Sequence, residues 1–204
     1  QHEILLVADE VITGFGRMGD WFASETYNLK PDFIPFAKGV TSGYLPLGGL
    51  LVSDRVADVI ISKGGEFTHG FTYSGHPAAC AVAIATINFI ERETILATVK
   101  DQTAPYLKKQ WESLINHDLV GETRIKGMVA AIELSKEGRE RYAATIGVGS
   151  ICRDLAMDHG IVMRAVGDTM IIAPPLIINA QQIDELMDKI KNTLDATLKT
   201  IQSL

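Results

Sequence analysis

Residues 4–8, Ile4-Leu5-Leu6-Val7-Ala8, form an unbroken apolar run that stops abruptly at Asp9-Glu10. A run this short, bounded by polar chemistry, is the pattern of a parallel strand buried on both faces. Such strands belong to α/β sheets, where ligand-handling residues collect at the carboxyl ends. The run therefore predicts an α/β layer with Asp9 at a working position. Val11-Ile12-Thr13 follows, then Gly14, Gly16 and Gly19 in the spacing G-x-G-x-x-G. That spacing suggests a dinucleotide loop, but its context argues against one. A dinucleotide fingerprint puts its glycines directly after the strand, and a helix then faces the phosphates. Here two carboxylates intervene where a pyrophosphate would be repelled, and Asp20-Trp21-Phe22-Ala23-Ser24 makes a weak helix opening. No acid closes a second apolar strand about 20 residues on, as a ribose contact requires. The glycines read as a surface turn.

Two more short apolar segments come next. Asp32–Lys38 ends in a lysine ahead of a Gly-rich loop, and Leu47–Ser53 reads as a third strand. Lys38, like Asp9, is then a strand end. Residues 66–76, EFTHGFTYSGH, read as a polar and aromatic loop. Pro77 opens an Ala-rich helix, with proline at its favoured first position. A longer polar helix covers roughly Ile95 to Ile115. Ile125–Leu134 reads as one strand, and Ile161–Ile172 as a strand broken by a turn at Val166-Gly167-Asp168. The last helix starts at Asn179, which caps it with Gln182 at the capping-box position. It carries Ile183, Leu186, Ile190, Leu194 and Ile201 on one face. The change of texture predicts a boundary near residue 97, with an α/β portion over 1–96 and a smaller α+β domain over 97–204.

Composition narrows the function classes. The 204 residues are 47% hydrophobic, enough to bury a proper core. A net charge of -6 without any Lys/Arg block points away from nucleic acid and from anionic membranes. The longest nearly apolar stretch, Pro77–Ile90, is too short to span a bilayer. Cys80 and Cys152 show neither C-x-x-C spacing nor a disulfide framework, which predicts reduced thiols in a cytoplasmic protein. The histidines (2, 69, 76, 117 and 159) form no pair at ligand spacing, so no metal is expected. The chain begins at Gln1, three residues before an apparent core strand, and is expected to be the carboxy-terminal part of something longer.

Asp9, Val11, Lys38 and the loop before Pro77 make a chemical set. On an extended strand residues i and i+2 share a face, so Asp9 and Val11 address the same space. A carboxylate there can hold a proton on a heteroaromatic nitrogen, with Val11 against the ring. Lys38 offers an amine for a Schiff base with an aldehyde. Thr72, Ser74 and Gly75 precede a helix N-terminus, where free N–H groups favour a phosphate. Pyridoxal phosphate needs these three things: a ring-nitrogen partner, an amine and an anchor. Taken singly, each residue has a plainer reading. Asp9 can be a strand-end acid satisfied by loop amides, Lys38 a snorkelling surface lysine, and Thr72 an ordinary loop hydroxyl.

Five stretches carry a resemblance to a known family: ADEVITGFGRMG (8–19), PDFIPFAKGVTSGYLPLGG (31–49), HGFTYSGHPAACAVA (69–83), IKGMVAAIEL (125–134) and GIVMRAVGDTMIIAPPL (160–176). In order and spacing they resemble the carboxy-terminal half of class III, fold-type I pyridoxal-phosphate aminotransferases. The resemblance implies that residues 1–96 are the carboxy-terminal part of the large cofactor-binding domain and 97–204 the small domain. It implies that Asp9 pairs with the pyridine nitrogen, Val11 lies beneath the ring, and Lys38 is the Schiff-base lysine. Thr72 would bind the phosphate of the neighbouring subunit's cofactor, in a homodimer with shared sites. The glycine loop is then a family loop following the pyridine-binding strand. The family's amino-terminal half, with its phosphate amides and ring-stacking aromatic, lies outside the sequence.

The resemblance also narrows the branch. Family members acting on ornithine or acetylornithine carry an arginine shortly before Pro-Pro, and Met170-Ile171-Ile172-Ala173-Pro174-Pro175 has none. Arg164 instead matches the mobile arginine of the ω-amine:pyruvate branch, closest to members acting on putrescine and other polyamines. The implied reaction is ping-pong transamination from a primary amine to pyruvate. The plain reading of Arg164 is an ordinary strand cation. Alternatives are another class III enzyme (an ω-amino acid aminotransferase, an aminomutase or a decarboxylase) or a catalytically incomplete, dimer-forming fragment.

Overall fold

One buried carboxylate organises the start of the chain. Asp32 accepts hydrogen bonds from the Leu6 N–H (2.9 Å), the Ser53 hydroxyl (3.2 Å), and Arg55 through Nε (2.6 Å) and a terminal nitrogen (2.9 Å). It thereby ties the amino-terminal segment to strand β1 (Phe33–Phe36) and to the junction of strand β2 (Gly49–Val52) with the following helix. The computed structural model describes residues 2–136 and 139–203, which gather into two compact units, Gln1–Ala97 and Thr98–Leu204.

In the first unit, Leu6–Glu10 runs parallel to β1. Ala8 N–H donates to the Phe33 carbonyl (2.9 Å) and Glu10 N–H to the Pro35 carbonyl (3.0 Å). The expectation of a strand buried on both faces is corrected here. The segment makes only one β-bridge, Val7 with Phe33, and Ile4, Leu5, Leu6 and Val7 are exposed. Its backbone is laddered on one edge alone, and among the described residues only its carboxyl end, at Ala8 and Glu10, is covered. β2 pairs with β1 antiparallel, so the small sheet is mixed. Phe36 lies opposite Gly49, and its ring fills the space a side chain there would take. Around this sheet stand α1 (Ala23–Thr26), α2 (Asp54–Lys63) and α3 (Pro77–Arg92), with α4 (Ile95–Thr98) last. α3 begins at Pro77 as its sequence predicts. It packs against the 3₁₀ turn Lys38–Thr41 through a face that buries Ala79, Ala83 and Ile90.

In the second unit the predicted 95–115 helix is interrupted. A π-helical turn, Val99–Thr103, precedes α5 (Ala104–Glu112), and a 3₁₀ turn Ser113–Asn116 ends the run. The single strand expected over 125–134 is a hairpin instead: β3 (Val120–Lys126) and β4 (Val129–Leu134), joined at Gly127-Met128. Gly127 has φ 55°, the left-handed conformation that a two-residue hairpin turn requires. After α6 (Val148–Asp158) come β5 (Arg164–Val166) and β6 (Thr169–Ile172), divided by Gly167 at the expected turn. The sheet order is β3-β4-β6-β5, antiparallel throughout.

α7 (Ala180–Gln202) opens with the predicted capping box. Asn179 Oδ1 accepts from Gln182 N–H (2.9 Å), and Gln182 Oε1 accepts from Asn179 N–H (3.0 Å). α5, α6 and α7 cover the face of the sheet that buries Ala130, Ile132, Leu134, Met170 and Ile172. The other face carries Glu122, Arg124, Ala131, Glu133, Thr169, Ile171 and Arg164, which alternate with the buried set. No described helix is long and apolar enough to cross a membrane.

Candidate active site

Asp9 and Glu10 are consecutive on extended backbone, so their side chains leave on opposite faces. Glu10 is 2% exposed and Asp9 is open to solvent. Extended backbone ends there. The Gly14 N–H donates to the Glu10 carbonyl (2.9 Å), which closes a turn over residues 11–13. Val11, half-buried, therefore belongs to a turn and does not continue the strand. It stays beside Asp9 because its N–H donates to Asp9 Oδ1 (3.0 Å), not because of strand periodicity. No partner holds the other carboxylate oxygen of Asp9 among the described residues.

Lys38 follows β1, the strand laddered to the Asp9 segment. Glu10 bonds to Pro35, and Lys38 lies three residues further on, so Asp9 and Lys38 leave the same carboxyl end of neighbouring parallel segments. The lysine has φ 46°. A non-glycine residue there costs roughly 1–2 kcal/mol, and such strain gathers at functional positions. The Lys38 side chain is exposed and makes no hydrogen bond or ion pair among the described residues.

Thr72 lies in the exposed turn Thr72–Gly75 before α3. Ser74 is occupied locally: its hydroxyl accepts from the Phe71 N–H (2.9 Å). His76 Nδ1 caps α3 by accepting from the Ala79 N–H (3.4 Å). The Thr72 hydroxyl has no partner, and no hydrogen bond joins it to Asp9, Val11 or Lys38 among the described residues. Phe67, Phe71 and Tyr73, on the same loop, are also exposed.

Arg164 belongs to the second unit, where it opens β5 on the face of the sheet away from the helices. It is exposed and unpaired among the described residues. Its register partner is the uncharged Ile171, separated from Pro174-Pro175 by Ile172 and Ala173.

Sequence reading passed over Glu10. Its carboxylate accepts from the Thr13 hydroxyl, the Ala23 N–H (2.9 Å) and the Ser24 N–H (2.6 Å). Burial pushes the group up, but these hydrogen bonds outweigh it and hold Glu10 below the usual glutamate value. Asp32 is held at about 2, chiefly by the Arg55 guanidinium and then by the Leu6 N–H. The signal for Glu10 was there in the strand alternation, since one of two consecutive acids has to face inward.

The family described as Aminotransferase class-III matches residues 1–194. The chain is 53% identical over 203 residues to a putrescine–pyruvate aminotransferase of Pseudomonas aeruginosa, covering 98% of this chain and 44% of that protein. It is 37% identical to a chloroplastic gamma aminobutyrate transaminase of Solanum lycopersicum, over 100% of this chain and 40% of the relative. A transaminase structure from the marine bacterium Virgibacillus superposes with a TM-score of 0.92 at 38% identity, covering 97% of this chain and 46% of the other. The chain thus spans less than half the length of these relatives, and its fold is that of the corresponding part of a fold-type I transferase. On both sequence and structure, the chain belongs to the class-III aminotransferases.

Proposed function

We propose that the protein transfers an amino group from a primary amine, such as putrescine, to pyruvate by a ping-pong route, with pyridoxal phosphate as cofactor and as a cytoplasmic homodimer. The observation that carries this reading is the contrast among the acids and cations of the first unit. Glu10 and Asp32 are buried and saturated with donors, while Asp9 and Lys38 keep free polar atoms at one end of paired segments. A carboxylate with one open oxygen at Asp9, and an amine at Lys38 and a hydroxyl at Thr72 that are unpaired among the described residues, are the donor set that pyridoxal phosphate requires. When bound, the cofactor supplies an aldehyde for condensation with an amine and a ring that takes up electrons from the adjacent carbon.

The residues of this chain supply the rest. Asp9, already oriented by the Val11 N–H, would hold a proton on the ring nitrogen, with Val11 beside the ring. Lys38 Nζ would move a proton at the donor carbon, a role suited to an amine with no competing ion pair among the described residues. Arg164 receives the pyruvate carboxylate. Because it is exposed, it can withdraw to water when an amine without a carboxylate is bound, whereas a fixed buried arginine would be left unpaired at high cost. The reaction after which the Pseudomonas aeruginosa relative is named supports putrescine and pyruvate as the substrate pair. The exposed Phe67, Phe71 and Tyr73 around Thr72 support a subunit contact there, since apolar surface of this kind marks docking sites.

One experiment tests both parts. Full-length protein given putrescine and pyruvate should make alanine, and Lys38→Ala should lower turnover by at least about 10³-fold. Mixing Lys38→Ala with Thr72→Ala subunits should restore activity, because heterodimers place both lesions in one site and leave the other whole. Near-normal turnover by Lys38→Ala alone sinks the assignment of the lysine. Mixtures that exchange subunits but recover nothing sink the shared site.

A further inference from the structure

Among the described residues, Glu10 is the only one of the largest fully buried side chains that comes from the first unit, and neither its charge nor its burial is used by the roles given above. We propose that Glu10 is a positioning residue for the Lys38 amine: its carboxylate fixes the Thr13–Phe22 loop, and that loop is the seat of the Lys38–Gly39 turn. The inference rests on the reading of Lys38 as the reacting amine.

The loop is gripped at both ends by one group. Thr13 at its start and the Ala23 and Ser24 amides beyond its end all donate to the Glu10 carboxylate. Inside the loop, the Phe15 N–H donates to the Trp21 carbonyl (2.6 Å). Phe15 is 7% exposed and meets Trp21, Phe22 and Phe36 edge to face, with centroids 6.4, 5.5 and 5.6 Å apart. Phe36 ends the strand that leads to Lys38. The final contact is direct: a Cβ at Gly39 would lie 3.0 Å from Phe15 Cβ and 3.2 Å from the Gly14 carbonyl oxygen. The turn that carries Lys38 therefore rests on Gly14-Phe15 so closely that a methyl group at Gly39 would require its neighbours to give by a few tenths of an ångström. Asp9 precedes Glu10 directly, so the same anchor holds the backbone of the second reacting group.

Glu10→Gln keeps the shape but turns one acceptor into an NH₂ donor that opposes a buried donor. Gly39→Ala lifts the Lys38 turn without touching Glu10. Each full-length variant, freed of cofactor, is mixed with pyridoxal phosphate and quenched at intervals with borohydride. Lys38 Nζ condenses with the aldehyde with loss of water, borohydride delivers hydride to the new C=N bond, and the peptide carrying Lys38 is counted by mass. Both variants should label Lys38 roughly 10- to 100-fold more slowly than wild type, the scale of a small misplacement. The pH midpoint of labelling should move as well. Circular dichroism confirms that each variant is folded, and where Glu10→Gln does not fold, Gly39→Ala decides alone. A folded variant that labels at the wild-type rate with the wild-type midpoint overturns the inference. Failure of wild-type Lys38 to label overturns the functional reading instead.

Discussion

In the second unit Trp111, Leu107, Met128, Ile132, Met170, Ile183 and Leu194 are fully buried between the sheet and helices α5 to α7. In the first unit Ile4, Val7, Leu50, Leu51, Ile61, Phe67, Phe71 and Tyr73 all face solvent, and the buried apolar side chains are Phe15, Val40, Ile90, Ile95 and a few alanines. A fully buried side chain of this size contributes about 1.5–3 kcal/mol, so the second unit closes its own core and the first does not. The candidate site residues do not follow that division: Asp9, Lys38 and Thr72 lie on the first unit, whereas Arg164, also unpaired among the described residues, lies on the second.

The comparison breaks most visibly at Trp111. Trp111→Ala should cost about 3–5 kcal/mol in urea unfolding of the full-length protein, the usual range for an emptied core site. The side chain is wholly buried, and its Nε1–H also donates to the Ala131 carbonyl (3.1 Å). Leu51→Ala in the first unit should stay within about 0.5 kcal/mol, as surface substitutions do. An equal loss at Leu51 would mean that the assembled protein covers that surface, and the contrast would belong to the isolated chain only.

The next largest effect concerns Arg164. Arg164→Ala should weaken the pyruvate half-reaction by about 2–5 kcal/mol, the range for truncating one partner of a buried charge pair. The putrescine half-reaction should change much less, and stopped-flow absorbance times the two separately. Directly opposed residues of antiparallel strands share a face, so adding Ile171→Arg to that variant should return part of the keto-acid step. Equal slowing of both half-reactions removes the switching role.

The smallest effect is acid sensitivity of the first unit. Asp32 is held at about 2, below its unfolded value, so its contribution is present at neutral pH. That contribution is lost as pH falls from about 4 toward the folded value. Asp32→Asn should flatten the dependence of melting temperature on pH in that window. An unchanged slope would show that the ion pair with Arg55 does not couple to folding.

What could be read from the sequence was local. Pro77 at a helix start, the Asn179–Gln182 capping box and the Gly167 turn each depend on neighbours within a few residues, and each stands where the sequence puts it. Features that depend on distant partners were not legible. The apolar run 4–8 says nothing of whether any layer covers it, and β1 says nothing of the direction of β2. The 125–134 segment hides its turn because Gly127 is flanked by residues that suit a strand equally well. α2 carries an apolar stripe that sequence reading passed over, although none of its residues is buried. In the site, residue types announced themselves at Asp9 and Lys38. The seat beneath Lys38 did not, because Phe15 and Gly39 meet only after the chain has folded back.

Lys38 keeps its left-handed backbone although glycine would take that conformation without strain. An engineer optimising thermostability alone would therefore find Lys38→Gly among the attractive substitutions, a gain of about 1 kcal/mol at an exposed site. A sequence library ranked by folded-state energy would discard the one amine on which the proposed chemistry turns. For this chain, then, the lysine has to be fixed by hand in any stabilisation campaign, because the physics of the backbone selects against it.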